Sequence, residues 1–511
     1  MPILHSLRDR VLAVKKSAIR GRRGKRNERG VALVVSLLLM LALSAIGASL
    51  LMLSNTETYA SMNYRMMSQA RYGAEAGVLR AVNHFMNAYA APGLVGTDPL
   101  GNYNTTVSPV TYNGQPVVLS AISTVNANYP YAPTQAAFSA AVQGNLAAGQ
   151  TVSYGAYATL VSMRTVIEYA QTAPTIIQTW HITGVGTLGG TRPAAVEVTS
   201  VLERNLGSAH SFGVFATQVT CASVSFGGGS SNDSYDSSAM TWANGLPVTE
   251  PTGGKVGTNG NLTVDGNAAV YGTLSTPRVG VGKCKDGAIV ALSQTGQAQV
   301  YEGLIQLPQS IIFPTPAPPS PMPPTTNVNL GQTDCASLGL VAPVCSGSPG
   351  NMTIDAQGGT MLFGNVSINA GDIVHFKAGV YNINSLTMGG NANIIVDSGP
   401  VVFNVAGVGT NAPISLQAGI LTNPSYNPSH LRILYGGTSP VTVAGGAGAA
   451  AILYSPNAPI TVSGGSDFYG SIVGSVVEDT GGTHFHYDRA LGDDFFIVGN
   501  WLMSSFTWKK Y

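Results

Sequence analysis

The chain has 511 residues, too many for a single hydrophobic core, so we expect several domains. Only 10% of the residues are charged and 62 are glycine, which is typical of an exported, strand-rich protein. The formal net charge of +1 conceals two parts of opposite sign, because residues 1–29 carry ten basic and two acidic side chains whereas the remainder carries 15 basic and 22 acidic ones.

A basic leader, residues 1–30, is followed by a long apolar stretch without any charged residue between Arg29 and Glu57. As a helix at about 1.5 Å per residue, Val31 to Leu53 is long enough to span about 30 Å of hydrocarbon. The excess of basic residues places the N-terminus in the cytoplasm and the remainder outside. We prefer this topology to a nucleic-acid function for the basic run, and to a removable signal peptide, whose apolar core would be only about 7 to 15 residues.

The helical pattern continues beyond the apolar stretch. Apolar or small residues recur at steps of three or four on one helical face, at Met62, Met66, Ala70, Ala74, Val78, Val82, Phe85 and Tyr89. No proline interrupts the chain between Pro2 and Pro92. The sequence therefore predicts one helix over residues 31–90, apolar all round in its first half and amphipathic in its second.

These segments carry a family resemblance. "ERGVALVVSLLLMLALSAIGASLLML" followed by "SQARYGAEAGVLRAVNHF" resembles the N-terminal segment of PilX-type minor pilins and their type II secretion relatives, over about residues 25–90. The resemblance implies that a prepilin peptidase cuts between Gly30 and Val31 and methylates the new N-terminus. It also implies that the helix leaves the bacterial inner membrane and packs against other pilins in the core of a filament.

The chain departs from the family pattern at the fifth residue after the expected cut. Most pilins carry a glutamate there, which pairs with the N-terminal amine of a neighbouring subunit, whereas this chain has Val35. An unpaired amine in apolar surroundings would cost several kcal/mol. Because the tip-capping minor pseudopilin of the family also lacks this glutamate, the resemblance implies a place at the filament tip. An uncleaved signal anchor is the alternative.

Residues 97–205 are predicted to form a small pilin-like α+β head. "NTTVSPVTYNGQPVVLSAIS" contains strand-like runs around a turn at Asn113-Gly114, and "TQAAFSAAVQGNLAAG" is typical of a short helix. "TIIQTWHITGVGTLGGTRPAAVEVTSVLER" predicts two strands joined by a glycine-rich turn. A small antiparallel sheet after a long helix is the expected result.

Residues 206–511 are predicted to form a second, larger β-rich domain with a weak internal repeat. "PVTVAGG" at Pro440 recurs as "PITVSGG" at Pro459, an offset of 19 residues, and looser copies begin at Leu262, Met352 and Leu386. Short strands at a period near 20, separated by Gly and Asn turns, favour a parallel β-helix in which rungs stack on one another. A β-sandwich is the alternative. The ending "DFYGSIVGSVVEDTGGTHFHYDRAL" also resembles the β-rich module often appended to PilX-like proteins.

A proline-rich segment interrupts this second domain. Residues 314–324, "PTPAPPSPMPP", contain seven prolines, which favour polyproline II and cannot contribute to a sheet ladder. We expect a strap that lies beside strands beginning before it and resuming after it.

Four cysteines lie in the exported part, where an oxidising compartment favours disulfides. Cys335 and Cys345 are close in sequence and are the first expected pair, which leaves Cys221 with Cys284 as the second. No C-x-x-C spacing occurs, so a cysteine-based zinc site has little support.

Two polar clusters are candidate metal sites. His484, His486 and Asp488 would share one face of a strand and could bind a metal ion, although Asp488 could instead cap a terminal rung beside partly exposed histidines. Asp233 and Asp236 lie in a polar segment, but the glycine and closing glutamate of a calcium loop are missing.

The sequence does not favour an enzyme or a cofactor-binding protein. The larger domain lacks clustered carboxylates with nearby basic residues, and no G-x-S-x-G, H-E-x-x-H or P-loop motif occurs. We expect a minor pilin of a type IV pilus or related system, assembled through its helix, with a body that contacts a surface, a carbohydrate or another pilin. The alternative is a permanently anchored envelope protein whose β-helix binds or cleaves polysaccharide.

Overall fold

The computed structural model describes residues 29–93, 98–148, 150–190, 193–416, 419–444 and 449–510. The predicted leader lies almost entirely outside these residues. The chain forms two compact units, one ending at Gln69 and the other beginning at Ala70. Within the described residues the protein is mostly β, with one long N-terminal helix and a large parallel sheet, which confirms the predicted fold class.

The first part of the chain contains both α-helices and the long antiparallel strands. The helices are α1 (Arg29–Asn87) and α2 (Ala132–Ala141). The strands are β1 (Thr111–Tyr112), β2 (Gln115–Pro116), β3 (Val118–Ser120), β4 (Gly144–Ala148), β5 (Gln150–Ile167), β6 (Pro174–Leu188) and β7 (Ala194–Ser208).

The central part of the chain contains short strands. They are β8 (Val214–Ala216), β9 (Val224–Phe226), β10 (Ser231–Tyr235), β11 (Trp242–Ala243), β12 (Leu246–Pro247), β13 (Val256–Thr258), β14 (Leu262–Val264), β15 (Ala269–Val270), β16 (Leu274–Thr276), β17 (Leu292–Gln294), β18 (Gln299–Val300), β19 (Leu304–Gln306) and β20 (Asn327–Leu330).

The C-terminal part continues in the same manner and ends in one long strand. These strands are β21 (Cys345–Ser348), β22 (Asn351–Ile354), β23 (Thr360–Ile368), β24 (Ile373–Phe376), β25 (Gly379–Met388), β26 (Asn393–Val396), β27 (Val401–Val405), β28 (Ile414–Leu416), β29 (Ile420–Thr422), β30 (Leu431–Tyr435), β31 (Val441–Ala444), β32 (Ala449–Ser455), β33 (Ile460–Ser463), β34 (Asp467–Gly474), β35 (Val477–Asp479), β36 (His484–Asp488) and β37 (Phe496–Lys510). Short 3₁₀ turns occupy Leu100–Asn102, Pro428–His430 and Arg489–Asp493.

The small antiparallel sheet has the strand order β3-β5-β6-β7-β37, with β4 paired to β5. The expected hairpin turn occurs between β1 and β2, where Asn113 and Gly114 have φ of +50° and +73°. The C-terminal strand departs from the predicted boundaries, because β37 pairs antiparallel with β7, Phe496 opposite Ser208, rather than with the larger domain. The small sheet is therefore completed by residues almost 300 positions away, and the larger domain is inserted between its last two strands.

The larger domain is a parallel β-helix, which excludes the β-sandwich alternative. The 19-residue repeat is a true rung repeat, since Val441 lies opposite Ile460 and Val443 opposite Val462 in a parallel pair. One inward-facing column of aliphatic side chains runs through successive rungs. It consists of Val328, Val366, Leu386, Ile414, Val441, Ile460, Val477, Val224, Leu262 and Leu292.

The rungs do not stack in chain order. The rung of β8, β9 and β10 pairs on one side with β13, β14 and β15, and on the other side with β34, β35 and β36. The first rung along the chain therefore lies inside the stack, next to the last one. Residues 214–306 build one arm of the β-helix and residues 327–488 build the other.

The proline-rich segment connects the ends of the two arms as a strap, as the sequence predicts. Phe313, Pro316 and Pro319 are buried at intervals of three residues, which is the repeat of polyproline II. Side chains from several rungs along the stack donate hydrogen bonds of 2.7 to 2.9 Å to carbonyls of the strap and the residues beside it: Asn259 to Ile311, Tyr454 to Pro314, Asn382 to Pro321, and Asn365 to Thr325. The strap thus runs across the rungs from one end of the stack towards the other.

An aromatic junction joins the β-helix to the small-sheet segments. The ring of Tyr169 lies 4.8 Å from that of His210, 5.0 Å from that of Tyr454 and 4.9 Å from that of Phe495. The guanidinium of Arg432 lies 4.7 Å from the centre of the Phe495 ring. Complete burial, followed by the charge of Arg432, lowers the pKa of His210 to about 3, so this histidine is neutral at physiological pH.

Both disulfides are the pairs expected from the sequence. Cys335–Cys345 closes a loop at one end of the stack, where Leu338 and Leu340 pack against the core. Cys221–Cys284 ties the loop of an outer rung to the rung that contains β9. Each therefore fixes a part of the β-helix that has few neighbours.

We predict that the Cys221–Cys284 disulfide contributes more to stability than Cys335–Cys345, because the sequence separations are 63 and 10 residues. In the chain-entropy description, the losses on removal are about 4 and about 3 kcal/mol, respectively. Urea unfolding of the two Cys→Ser double variants, followed by intrinsic fluorescence, measures the difference. A larger loss for C335S/C345S would contradict the prediction.

Candidate functional site

The first half of α1 presents apolar side chains to its surroundings along its whole length. Val31, Leu51 and Met52 are 67%, 68% and 74% exposed, and no residue from Val31 to Arg65 is buried. By length and composition, α1 can cross a membrane. Gly30 and Val31, the expected cleavage residues, lie in its first turn, and Val35 is 53% exposed.

Hydroxyl groups in this apolar region bond to the helix backbone. Ser36 donates to the carbonyl of Leu33 at 2.9 Å, and Thr56 donates to that of Met52 at 2.8 Å. Intrahelical bonds of this kind satisfy polar groups where no water is available. The exposed surface of the helix thus suits lipid or the apolar faces of other helices.

The second half of α1 lies against the small sheet through very small residues. Ala70, Ala74 and Val78 are fully buried, and glycines of the sheet face them. A β-carbon on Gly186 would overlap the carbonyl oxygen of Ala70, and one on Gly184 would overlap that of Ala74. The helix backbone therefore lies very close to the β6 backbone, and any residue other than glycine at these two positions would prevent that approach.

The A-E-A-G element of the sequence has a direct structural explanation. A β-carbon on Gly77 would lie 2.6 Å from the carbonyl oxygen of Gly155, so this position also requires glycine. Glu75 is partly exposed and pairs with Arg71 one turn earlier, Oε1 to Nε, at 2.8 Å. The small residues provide the contact with the sheet.

Aromatic rings fix the C-terminal end of α1. Phe85 lies 4.8 Å from Trp180, 5.8 Å from Phe138 and 5.9 Å from Trp501, measured between ring centres. Trp501 belongs to β37, so the C-terminal strand contributes to the same cluster. Sequence reasoning found Phe85 through its helical spacing, but Trp501 gave no signal because its neighbours are distant in the chain.

A buried hydrogen-bond network follows the helix. The hydroxyl of Tyr103 donates to Asp98 at 2.9 Å, Tyr129 donates to the same carboxylate at 3.2 Å, and the Tyr129 hydroxyl lies 3.2 Å from that of Tyr89. Burial raises the pKa of Asp98 despite the two tyrosine hydrogen bonds, which lower it. This network ties the segment after α1 to the small-sheet domain.

The structure does not assemble the predicted metal site on β36. His484 bonds to Ser231, Nδ1 to Oγ, at 2.7 Å, whereas Asp488 accepts the backbone N–H groups of Ser237 and Ala490. In the described part of the chain, no group of three or more His, Cys, Asp or Glu side chains is placed to bind a metal ion. These side chains therefore have separate partners, and Asp488 caps the 3₁₀ turn that follows β36, which is the alternative role that the sequence also offered.

His486 lies between two carboxylates on different rungs. Its Nδ1 is 2.5 Å from Asp233 Oδ1, and its Nε2 is 3.3 Å from Asp467 Oδ1. Burial alone would lower the pKa of His486, but the hydrogen bonds and charges of the two carboxylates outweigh it and raise the pKa to about 9. Asp233, considered above as a calcium ligand, is thus a partner of this charged histidine.

Comparison with known proteins finds few similarities. A family model described as a domain of unknown function (DUF7305) matches residues 364–494, which is 131 of the 511 residues and falls within the later rungs of the β-helix. No curated protein matches the sequence. The crystal structure of the competence-associated pilin ComZ from Thermus thermophilus is similar at 12% identity, covering 87% of this chain and 98% of that chain, with a TM-score of 0.23. A TM-score of this size does not establish a shared fold.

We predict that G186A detaches the second half of α1 from the small sheet, because the added methyl group would overlap the Ala70 carbonyl. The expected loss is about 1 to 3 kcal/mol. Hydrogen exchange over residues 70–87 should accelerate. The matched control is G207A on β7, where a β-carbon meets no atom within 4 Å. Equal exchange in the two variants would contradict this explanation.

We also predict that the contacts of His486 stabilise the fold at low and neutral pH and weaken in mild alkali. Since the pKa is raised from 6.5 to about 9 on folding, the contribution is complete below pH 6.5 and is lost as the pH rises towards about 9. H486Q should remove this part of the pH dependence. Thermal unfolding of both proteins across this range measures the difference, and parallel curves would contradict the prediction.

Proposed function

We propose that this chain is a minor, pilin-like subunit of a type IV pilus or a related filament. The first half of α1 resides in the inner membrane and then packs among the helices of other pilins. The β-helix is displayed outward on the small-sheet domain. This role is structural and non-catalytic.

One observation carries the proposal: a single helix combines a fully exposed apolar half with a second half fixed closely on an antiparallel sheet. An apolar surface of this length is unstable in water, so it requires lipid or other apolar helices. The close contact of Ala70 and Ala74 with the sheet holds the head on the helix. Together these features support assembly through the helix rather than through the body.

Val35 supports a place at the tip of the filament. The resemblance to PilX-type minor pilins implies a glutamate at this position in subunits that continue a filament, where it neutralises the N-terminal amine of a neighbour. An apolar side chain cannot do so. A subunit with valine at this position is best accommodated where it does not have to pair with such an amine. This favours the end of the filament.

The leader provides the most direct test. We expect the purified membrane form to lack residues 1–30 and to carry one additional methyl group on Val31, measured by intact-protein mass spectrometry. The prepilin peptidase is the implied partner. The matched control is G30V, in which a bulky residue replaces the glycine before the cut and the leader should remain.

An intact leader in the wild-type protein would contradict the pilin assignment and favour a permanent anchor. Assembly is tested separately with a photo-crosslinking residue at Leu41, which is 66% exposed in the apolar half. We expect crosslinks to another subunit that has a pilin-like helix. The same crosslinker at Leu246, on the body, should not yield that product.

A further inference from the structure

Trp242 is a large aromatic side chain that the body leaves exposed to solvent. Its side chain is 51% exposed, whereas Trp180 is fully buried and Trp501 is 9% exposed. It lies on the hairpin of β11 and β12, whose turn residues Asn244 and Gly245 have φ of +54° and +80°. These positive φ values are those of the tight turn that closes the hairpin.

Buried tyrosines support Trp242 from below. Its ring meets that of Tyr426 edge to face at 5.6 Å, and Tyr426 meets Tyr469 at 4.9 Å. Tyr235 meets Tyr469 at 5.3 Å and donates a hydrogen bond of 2.7 Å to the carbonyl of Tyr426. The exposed ring therefore rests on a cluster of buried aromatic side chains.

A partly exposed carboxylate lies beside the same tyrosines. Asp467 is 37% exposed at its side chain, and its Oδ1 is held by His486. Burial is the main cause that raises the pKa of Tyr426, and the charge of Asp467 is the second. The same two causes contribute most to the raised pKa of Tyr469. His486, which contacts Asp467, lies 4.5 Å from the Tyr469 ring, measured between ring centres, and Asp467 and Tyr469 are two residues apart on β34 and therefore face the same side. The carboxylate thus lies beside the aromatic cluster, in an orientation set by His486.

A flat exposed indole and an oriented carboxylate match the chemistry of a sugar ring. The C–H face of a pyranose packs against an aromatic ring, and its hydroxyl groups donate hydrogen bonds to carboxylate oxygens. With His486 protonated, the group of Asp233, His486 and Asp467 has a net negative charge, so an anionic sugar would be repelled. A neutral sugar can pack on the indole and donate hydrogen bonds to the carboxylate without this repulsion.

We propose that Trp242 and Asp467 form a binding site for a neutral carbohydrate chain. The inference rests on the proposed function in one respect, namely that the β-helix is displayed outside the cell where such chains occur. Trp242 supplies the stacking surface, Asp467 accepts the sugar hydroxyls, and His486 positions Asp467.

Full-length protein in lipid nanodiscs is titrated separately with cellohexaose, chitohexaose and maltohexaose, with tryptophan fluorescence and acrylamide quenching as the measurements. We expect at least one hexaose to bind and to protect an exposed tryptophan from the quencher. W242A should weaken that binding by about tenfold or more, equivalent to about 1.4 kcal/mol. D467N should weaken it by a smaller factor.

The matched control is L246A, on the same hairpin, because Leu246 is 38% exposed and is not part of the proposed site. Its affinity should equal that of the wild-type protein. W242F keeps an aromatic ring and should retain most of the binding, which separates loss of the stacking surface from loss of folding.

Absence of binding to all three hexaoses at millimolar concentration would overturn the proposal, as would wild-type affinity in W242A. Binding of only a heparin-derived hexasaccharide would overturn the assignment to neutral sugars. Because these titrations require no filament, carbohydrate binding can fail while leader cleavage and helix crosslinking are confirmed, and the reverse outcome is equally distinguishable.

Discussion

Each inner rung of a parallel β-helix requires a rung on both sides, and this constraint determines the path of the whole chain. The chain leaves the small sheet after β7 and returns to it at β37, which are paired neighbours. Its entry and exit must therefore lie close together. The β-helix satisfies both conditions by stacking its first rung on its last one, so that the two arms grow away from the point of insertion.

The strap follows from the same constraint. After β19 the chain has reached the outer end of the first arm, yet β20 begins the far end of the second. A strand could not make this connection, because strands lie within rungs and the connection must cross them. Polyproline II needs no backbone partner and extends about 3.1 Å per residue, so a proline-rich segment crosses the rungs while its carbonyls accept side-chain hydrogen bonds. The rungs provide asparagines and a tyrosine at these positions.

Local patterns in the sequence predicted local structure well. The continuous apolar helix, the hairpin turn at Asn113-Gly114, the strap and the 19-residue repeat depend on neighbouring residues, and each occurs in the structure. The insertion could not be predicted, because β7 and β37 pair over almost 300 residues without a shared motif. For the same reason, the sequence could offer His486 only residues two positions away as companions in a candidate metal site. Its actual partners, Asp233 and Asp467, are supplied by adjacent rungs.

Polar residues concentrate at the seam where the first rung along the chain meets the last one, and the need to fix the register there explains why. Most rungs are aligned by their chain neighbours and by aliphatic side chains, which tolerate displacement along the strand. The seam joins segments about 250 residues apart, so neither covalent continuity nor a short loop fixes its register. Polar pairs fix it instead: Ser230 bonds to Asp479 at 2.5 Å, and His486 bonds to Asp233 at the same distance. A shift by one residue would turn these side chains to the opposite face and leave buried polar groups unpaired, at a cost of about 1 to 3 kcal/mol each. The charged histidine thus specifies where the two arms meet, and in doing so it orients the carboxylate beside Trp242.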